Sequence, residues 1–295
     1  LRLWEPARQI WQDNFWWGVG PAHFDYRFRQ YRPADDQLQN RPVHVHNDYL
    51  NTLVDWGTVG AALVAVIWIV FYWEVFRTWK FVQRSPNDLT TKRSNKTSLV
   101  VGASLGLLAI LIHSAFDFNM HIPANAILAV TLMALVTGHF RFATERYWVT
   151  LHWPLRIVVL LVLFAAGGYL GAQTWRQTKE LYWLGRAAES NVSDSKRVRA
   201  LENAMAAEPM NAETPHQIAE LLRLRSWEGG RTYRDLAKAA LPYYRRGMEL
   251  NPYNPYNSLR YGMCLDWLDD HDQAAEYFEK ARKLDPNNYY ILANV

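Results

Sequence analysis

The stretch HVHNDYLNTLVDWGTVG, residues 44–60, decides the fold of this chain. It places histidine, asparagine and aspartate side chains directly before an uncharged apolar segment, Ala61 to Tyr72. Ionisable side chains held against a bilayer cost free energy, so they usually mark a functional site. The stretch therefore predicts a chemically active group at the mouth of a membrane helix.

Four segments are long and apolar enough to cross a bilayer, which takes about 20 residues. Trp and Tyr residues lie at their ends, as they do at membrane interfaces. Buried helices of a large soluble protein are the alternative, but four such runs within about 120 residues disfavour it. The predicted spans are Gly57–Phe76, Leu99–Phe116, Ile122–Phe140 and Ile157–Thr174.

Basic residues in two short loops predict the orientation of these spans. The positive-inside rule places the loop after the first span and the loop after the third in the cytoplasm. Residues 1–56, the turn Asp117–Pro123 and the chain after Trp175 then face the periplasm of a bacterium. The basic residues are Arg77, Lys80, Arg84, Lys92, Arg93 and Lys96 in one loop, and Arg141, Arg146 and Arg156 around the other.

Length, cysteine content and charge limit the possible domain number and function classes. A length of 295 residues predicts about two domains, and we divide the chain into a loop (1–56), a membrane region (57–175) and a tail (176–295). The single Cys264 excludes an intrachain disulfide and a cysteine-based metal cluster. A net charge of +4, spread along the chain, does not suggest nucleic-acid binding.

The outer loop contains six arginines and no lysine. Because topology disfavours positive charge outside, we expect these side chains to have a role there. Arginine presents a planar fork that matches phosphate oxygens, so the cluster suits a lipid-linked phosphate or pyrophosphate. The alternative is that they pair with Asp25, Asp35 and Asp36 or contact lipid headgroups. The arginines are Arg2, Arg8, Arg27, Arg29, Arg32 and Arg41.

The tail contains an internal repeat. The segment Glu249–Pro252 recurs 34 residues later as Lys283–Pro286, which is the period of tetratricopeptide repeats. Gly262 and Ala274 would allow close helix approach, and Cys264 is expected in the core. Glu208–Pro209 would end a further upstream unit, given a nine-residue insertion near residues 227–230. Such repeats form a concave surface, here for a protein partner or alternatively for polysaccharide.

Two polar groups are predicted to meet on the outer face, residues 44–48 and residues 113–121. His113, Asp117 and His121 have i, i+4, i+8 spacing, so a continuing helix would place them on one face. That spacing could hold a metal, although no His-Glu-x-x-His motif is present and Pro123 suggests a nearby helix end. The other alternative is a turn that closes the helix pair and whose polar groups are hydrogen-bonded within the fold.

Several motifs together carry a family resemblance. The chain from Trp4 through Gly18–Phe24, then Tyr31–Pro33, His46–Leu50 and Trp56–Gly60, resembles the O-antigen ligase/polymerase superfamily. The stretch His-Ser-x-x-Asp-Phe-x-x-His-x-Pro at 113–123 is similar to a second element of that superfamily. Members of the superfamily also carry tetratricopeptide tails. The resemblance covers about residues 1–140.

This resemblance implies an all-α fold, a membrane helical bundle of the GT-C glycosyltransferase type followed by a periplasmic tetratricopeptide α-solenoid. It implies an inner-membrane enzyme that takes glycan from an undecaprenyl-pyrophosphate donor. The acceptor would be the lipid A core, a growing glycan or a protein hydroxyl, without metal or cofactor. Because the superfamily has more than four spans, we expect a longer parent protein and doubt that these 295 residues are active alone.

The residues can be given roles on this basis. His46 matches the histidine of the family, and a neutral imidazole suits the general base that activates the acceptor hydroxyl. Asn47 or Asp48 could orient His46 or bind sugar hydroxyls. The remaining substrate-binding candidates are Arg32 and Arg41 for pyrophosphate, Arg27 and Arg29 as weaker contacts, and His113, Asp117 and His121.

Two other functions stay open. A membrane-anchored tetratricopeptide scaffold of envelope polysaccharide assembly would need no catalysis. A metal-dependent periplasmic hydrolase would use His44, His46, Asp117 and His121 as ligands.

Overall fold

The computed structural model describes residues 2–36, 41–83, 93–143, 151–189, 191 and 193–295. The regular elements of this described part are helices, which confirms the predicted all-α class. The chain divides into an N-terminal unit, Leu1–Thr150, and a C-terminal unit, Leu151–Val295. The predicted three-part division at residues 56 and 175 stays a prediction.

The N-terminal unit has five α-helices and two short 3₁₀ turns in its described residues. Short helices precede the membrane helices because Gly and Pro interrupt the outer loop. The helices are α1 (Trp4–Asp13), α2 (Phe24–Phe28), α3 (Asp48–Gln83), α4 (Arg93–His113) and α5 (Pro123–Ala143), and the 3₁₀ turns are Arg29–Tyr31 and Asn119–His121.

Helix α3 is kinked at Gly57, which has a φ of +63°. The outer loop uses the backbone groups that the kink frees. The amide of Val19 donates to the carbonyl of Val54 (2.8 Å), and the amide of Thr58 donates to the carbonyl of Phe15 (2.8 Å). A Cβ on Gly57 would lie 2.3 Å from the Trp16 carbonyl oxygen, so only glycine fits this junction.

Two apolar clusters hold the N-terminal unit. One packs the outer loop against the start of α3 and includes Ile10, Phe24 and Val54. The other lies among α3, α4 and α5 and includes Phe71, Leu107 and Val136. The outer loop is therefore a packed layer on the first span.

Among the described residues, three helices are long and apolar enough to cross a membrane: Asp48–Trp79, Pro123–Phe140 and Trp153–Ala188. These correspond to the first, third and fourth predicted spans. The second predicted span, Leu99–Phe116, lies in α4, which ends at His113; the apolar part of this helix whose side chains are described, Ser98–His113, is shorter than the other three. The chain is thus an integral membrane protein by the length and composition of its helices.

The predicted orientation rests mostly on side chains that lie outside the described ones, namely Lys80, Arg84, Lys92, Arg93, Lys96, Arg141 and Arg146. Two basic residues of those loops are described. Arg77 lies 3.7 Å from Glu74, and the Nε of Arg156 donates to the carbonyl of Leu151 at 2.8 Å. The orientation therefore stays a prediction.

The C-terminal unit is a row of antiparallel helices. Consecutive helices pack in pairs, with buried Ala, Tyr and Leu side chains between them. The helices are α6 (Trp153–Ala188), α7 (Asp194–Ala207), α8 (Glu213–Trp227), α9 (Tyr233–Leu250), α10 (Pro255–Trp267), α11 (His271–Leu284) and α12 (Tyr289–Leu292).

The packing of α10 on α11 confirms the predicted repeat. A Cβ on Gly262 would lie 2.8 Å from the Phe278 ring and 3.2 Å from the Ala274 carbonyl oxygen, so the two helices approach closely there. Cys264 is buried, as predicted, and burial raises its pKa to about 12. The upstream unit is α8 with α9, and its extra length lies in a long α9 as well as in the connection after Trp227.

Helix α6 joins the membrane to the repeats. Its 36 residues extend about 54 Å, more than a bilayer core requires. The segment beyond the predicted span packs on α7 through Trp183, Leu184 and Ala187. The fourth span and the first helix of the repeat array are therefore one continuous helix, which is why the unit boundary falls before the span.

Candidate functional site

The site begins where α3 begins. The side-chain oxygen of Asn47 accepts a hydrogen bond from the Leu50 amide at 3.0 Å, so Asn47 caps the helix. Asn51, buried one turn later, accepts from the Val45 amide (3.0 Å) and donates to Asp55 (2.8 Å). These bonds fix residues 44–47 on the end of the first span, and sequence reasoning had not singled out Asn51.

Asp48 fastens the turn after α4 to the start of α3. Its amide donates to the carbonyl of Ser114 at 2.8 Å, and one carboxylate oxygen accepts from the Met120 amide at 2.9 Å. The other carboxylate oxygen lies 2.7 Å from Nδ1 of His121. The two polar groups predicted to meet on the outer face therefore do meet, and Asp48 is buried at their centre.

The continuing helix that would place His113, Asp117 and His121 on one face is not observed. Helix α4 ends at His113, and a turn separates it from the 3₁₀ helix Asn119–His121. His113 is exposed and hydrogen-bonds Asn119, whereas His121 lies against Asp48. The bend occurs because the amides of Met120 and Asp48 find partners across the turn rather than along a helix.

His121 is held as a cation. Its hydrogen bond to Asp48, with a smaller contribution from Asp55, raises its pKa to about 9. Its Nε2 lies 3.7 Å from the Asp55 carboxylate and 3.2 Å from the amide nitrogen of Asn51. A quarter of the side chain remains exposed, and both ring nitrogens face side chains of α3.

Phe118 separates His44 from His46. The His44 ring stacks on Phe118 with centroids 4.9 Å apart, and the His46 ring meets the same phenyl edge-on at 4.7 Å. Burial, followed by the nearby His121, lowers the pKa of His44. His44 is therefore a neutral packing residue at physiological pH.

His46 combines an unusual backbone conformation with an exposed side chain. Its φ is +55°, in the left-handed region that a side chain other than glycine rarely adopts. The buried Val45 on one side and the helix cap Asn47 on the other impose this conformation. The side chain is 59% exposed, and its Nδ1 lies 3.4 Å from a carboxylate oxygen of Asp117. Such locally costly backbone is common at functional sites.

The predicted arginines differ in their surroundings. Arg32 is buried and pairs with Asp36 at 2.8 Å, while Arg41 pairs with Asp25 at 2.5 Å and donates to the Tyr26 hydroxyl. The predicted alternative, pairing with acidic neighbours, is therefore confirmed for these two. Arg29 is buried beside the Tyr26 ring, and Arg27 lies near the Tyr31 hydroxyl.

One cavity of about 730 Å³ opens beside His46. It brings His46 together with Arg41, whose side chain is 47% exposed despite its ion pair. Arg2 also lines it, although the sequence had marked Arg2 only as one of the outer arginines. Arg27, Arg29 and Arg32 do not line it. Its lining among the described residues is Arg2, Leu3, Phe28, Pro33, Asp35, Asp36, Arg41, Pro42, Val43 and His46.

The described residues contain no group of three or more His, Cys, Asp or Glu side chains arranged to hold a metal ion. In particular, the His44 ring stacks on Phe118 and lies tilted against the His121 ring, and His46 contacts the carboxylate of Asp117. The arrangement is instead that of an imidazole next to a carboxylate, on a cavity that also contains guanidinium groups.

Comparison with known proteins gives two family matches. Residues 1–65 match the O-antigen ligase family. Residues 258–288 match the tetratricopeptide repeat. The two matches confirm the predicted combination of a ligase segment and a repeat, and they support a membrane glycosyltransferase of the O-antigen ligase/polymerase type. No curated protein matches the chain.

The O-antigen ligase segment contains the described lining of the cavity, including His46 and Arg41. Asp117, Phe118 and His121 come from beyond it, so the site joins the matched segment to the turn before the third span. The family implies a membrane-associated, glycan-linked substrate, and the repeat suggests a protein interaction.

Proposed function

We propose that the N-terminal unit carries the acceptor-activating site of a bacterial inner-membrane glycosyltransferase. The donor is a glycan on undecaprenyl pyrophosphate, the acceptor is a hydroxyl of a glycolipid, glycan or protein, and transfer takes place on the periplasmic face. The observation that carries the proposal is His46, held in a left-handed conformation on the cavity that Arg41 also lines.

His46 is the general base in this proposal. A carboxylate beside Nδ1 favours the tautomer with its proton on Nδ1, which leaves Nε2 as the acceptor. The 3.4 Å separation from Asp117 is long for a hydrogen bond, and such contacts tighten when substrate binds. Asp117 is thus the positioning residue for His46, a narrower role than the substrate contact that the sequence suggested.

Arg41 and Arg2 stabilise the leaving group. The acceptor oxygen attacks the anomeric carbon, and the bond from that carbon to the pyrophosphate oxygen breaks. The electron pair leaves with undecaprenyl pyrophosphate, and the acceptor proton moves to Nε2 of His46. Guanidinium groups neutralise the charge that develops on the pyrophosphate, which is the main demand of a reaction with a good leaving group.

Carboxylates on the same cavity limit where the phosphates can lie. Asp35 and Asp36 also line it, and Asp36 already pairs with Arg32. We assign the pyrophosphate to the Arg41 side and sugar hydroxyls to the Asp35 side, because carboxylates accept hydrogen bonds from hydroxyls and repel phosphate.

The test is surface-glycan assembly in cells that produce the protein with His46→Ala in place of the wild type. We expect assembly to be lost at unchanged protein abundance, and His23→Ala, an exposed histidine of the same loop, to be neutral. Normal assembly with His46→Ala would overturn the proposal. It would favour the second candidate, a non-catalytic scaffold, which the tetratricopeptide match supports.

A further inference from the structure

A second cavity lies in the C-terminal unit, on the helix that leaves the membrane. It has a volume of about 630 Å³ and lies between α6 and the connection from α7 to α8. From α6 it is lined by Tyr169, Gln173, Gln177 and Glu180, and from the connection by Glu208 and Asn211.

The α6 residues form one stripe along the helix. Positions 169, 173, 177 and 180 are spaced four, four and three apart, so they share a face. The stripe covers about 16 Å of helix and starts inside the predicted span, Ile157–Thr174. The cavity therefore extends across the end of the predicted span and continues along the first repeat helix.

Glu180 is a buried anchor in the wall of this cavity. It is 6% exposed, and its Oε1 accepts hydrogen bonds from Asn211 (2.6 Å) and from the buried Thr214 (3.1 Å). Its Oε2 has no hydrogen-bond partner among the described residues and is not fully enclosed. A carboxylate oxygen fixed in this way is a prepared acceptor for a ligand hydroxyl or amine.

Three other polar side chains of the cavity are also available to a ligand. Within the described part of the chain, the amides of Gln173 and Gln177 and the hydroxyl of Tyr169 have no hydrogen-bond partner. Amides offer donors and acceptors side by side, which suits hydroxyl groups that do both. The exposed Tyr169 ring adds an apolar face on which a sugar ring can pack.

The charge of the cavity argues against a phosphate ligand. Arg176 also lines it but pairs with Glu208 at 2.8 Å, which leaves the charge of Glu180 uncompensated. An anion would be repelled, whereas a neutral polyhydroxyl compound would not.

We propose that this cavity is a glycan-binding subsite for neutral sugar units of a membrane-attached saccharide. Tyr169 provides the stacking face, Gln173 and Gln177 provide paired donors and acceptors, and Glu180 provides the fixed acceptor. The identity of the saccharide as donor or acceptor of transfer rests on the proposed function; the binding itself does not. The subsite keeps the sugars at the membrane surface, beside the helix that spans it.

The experiment measures binding, not transfer. The full chain in lipid nanodiscs is applied to a printed array of neutral and acidic bacterial oligosaccharides, and the best neutral probe is titrated. We expect Gln173→Ala and Gln177→Ala each to raise the Kd roughly fivefold, as expected for one lost hydrogen bond. Thr178→Ala, an exposed residue of α6 outside the cavity, is the matched control and should leave the Kd unchanged.

The outcomes separate the two proposals. His46→Ala should bind the probe like the wild type, so loss of transfer with intact binding supports both. Binding of acidic probes only, or binding that neither glutamine variant weakens, would overturn the subsite. A change in the phospholipid that copurifies, with no change in oligosaccharide binding, would show a lipid site instead. Glu180→Gln is added with thermal unfolding as a folding check, and Gln177→Ala, an exposed position, keeps the test valid if that variant is unstable.

Discussion

The polar cluster at the mouth of the first span differs from the polar cluster inside the repeats. In the repeats, Glu220 accepts from the Tyr244 hydroxyl at 2.5 Å and from Arg223 at 2.8 Å, and Arg260 lies 3.4 Å away. Arg223 also packs on the Trp227 ring. At the mouth, His46 has a carboxylate at 3.4 Å, packs edge-on against Phe118 and lines a cavity.

The difference separates groups that stabilise the fold from groups that are left to react. Burial alone would raise the pKa of Glu220, but hydrogen bonds from Arg223 and Tyr244 hold it below its ordinary value. Its charge is satisfied within the fold. His46 and Arg41 are exposed by 59% and 47%, so a ligand can still use them.

The largest expected effect on stability comes from the Glu220 cluster inside the repeats. Glu220→Ala leaves Arg223, whose side chain is 3% exposed, without its main anion. We expect a loss of about 3 kcal/mol in the stability of the C-terminal unit, the cost of breaking a buried pair. Chemical denaturation in detergent measures it, and Glu279→Ala, an exposed pair to Arg282, is the control. An equal loss of stability from both variants would show that the buried Glu220 pair contributes no more than an exposed pair.

The junction of loop and span should be nearly as sensitive. Gly57→Ala and Gly18→Ala place a Cβ 2.3 Å from the Trp16 oxygen and 2.4 Å from the Val54 oxygen, both at positive φ. We expect each to cost about 2 kcal/mol and to loosen the outer loop. Gly102→Ala, which meets nothing within 4 Å, is the matched control. Limited proteolysis of residues 1–56 reads out the loosening, and a wild-type cleavage pattern for Gly57→Ala would contradict it.

At the mouth of the first span, we expect substitutions to change ligand affinity more than protein stability. Arg41→Lys keeps the charge beside Asp25 but loses the planar fork that matches phosphate oxygens. We expect the affinity for an undecaprenyl-pyrophosphate donor to fall about tenfold, or about 1.4 kcal/mol. Arg8→Lys, an exposed pair to Glu5 in the same loop, should bind donor normally. Equal affinities for both variants would place the pyrophosphate elsewhere.

The smallest effect concerns pH. The pKa of His121 in the folded chain, about 9, lies above its ordinary value of 6.5. Its contribution to stability is therefore fully present below pH 6.5 and is lost as the pH rises through 9. We expect His121→Gln to lower the melting temperature at pH 6 and to have less effect at pH 10. A loss that is the same at both pH values would show that the Asp48 contact does not depend on the charge.

The sequence predicted the parts that depend on local pattern. Apolar length gave the membrane helices, the 34-residue period gave the α10–α11 packing around Gly262, and the polar stretch gave the place of His46. What it could not show depends on long-range contacts. The turn after α4 is held by hydrogen bonds from Met120 and His121 to Asp48, which is distant in sequence.

Three further features were beyond sequence reasoning. Phe118 lies between His44 and His46 only because the turn folds back onto α3. A single phenylalanine belongs to no sequence pattern from which these contacts could be predicted. The continuity of α6 from span to repeat was hidden because its apolar half and its polar half read as two domains. In the sequence, Arg2 does not differ from the other arginines of residues 1–56; only the structure shows that it lines the cavity beside His46.

The most direct test of the central claim is a comparison of donor binding and transfer rate in purified His46→Ala. The account assigns His46 to proton removal and Arg41 to the donor, so His46→Ala should bind the undecaprenyl-pyrophosphate donor with wild-type affinity. Its transfer rate at saturating donor should fall at least 100-fold, as for loss of a general base. A transfer rate within a few fold of the wild type, or a parallel loss of donor binding, would contradict the account.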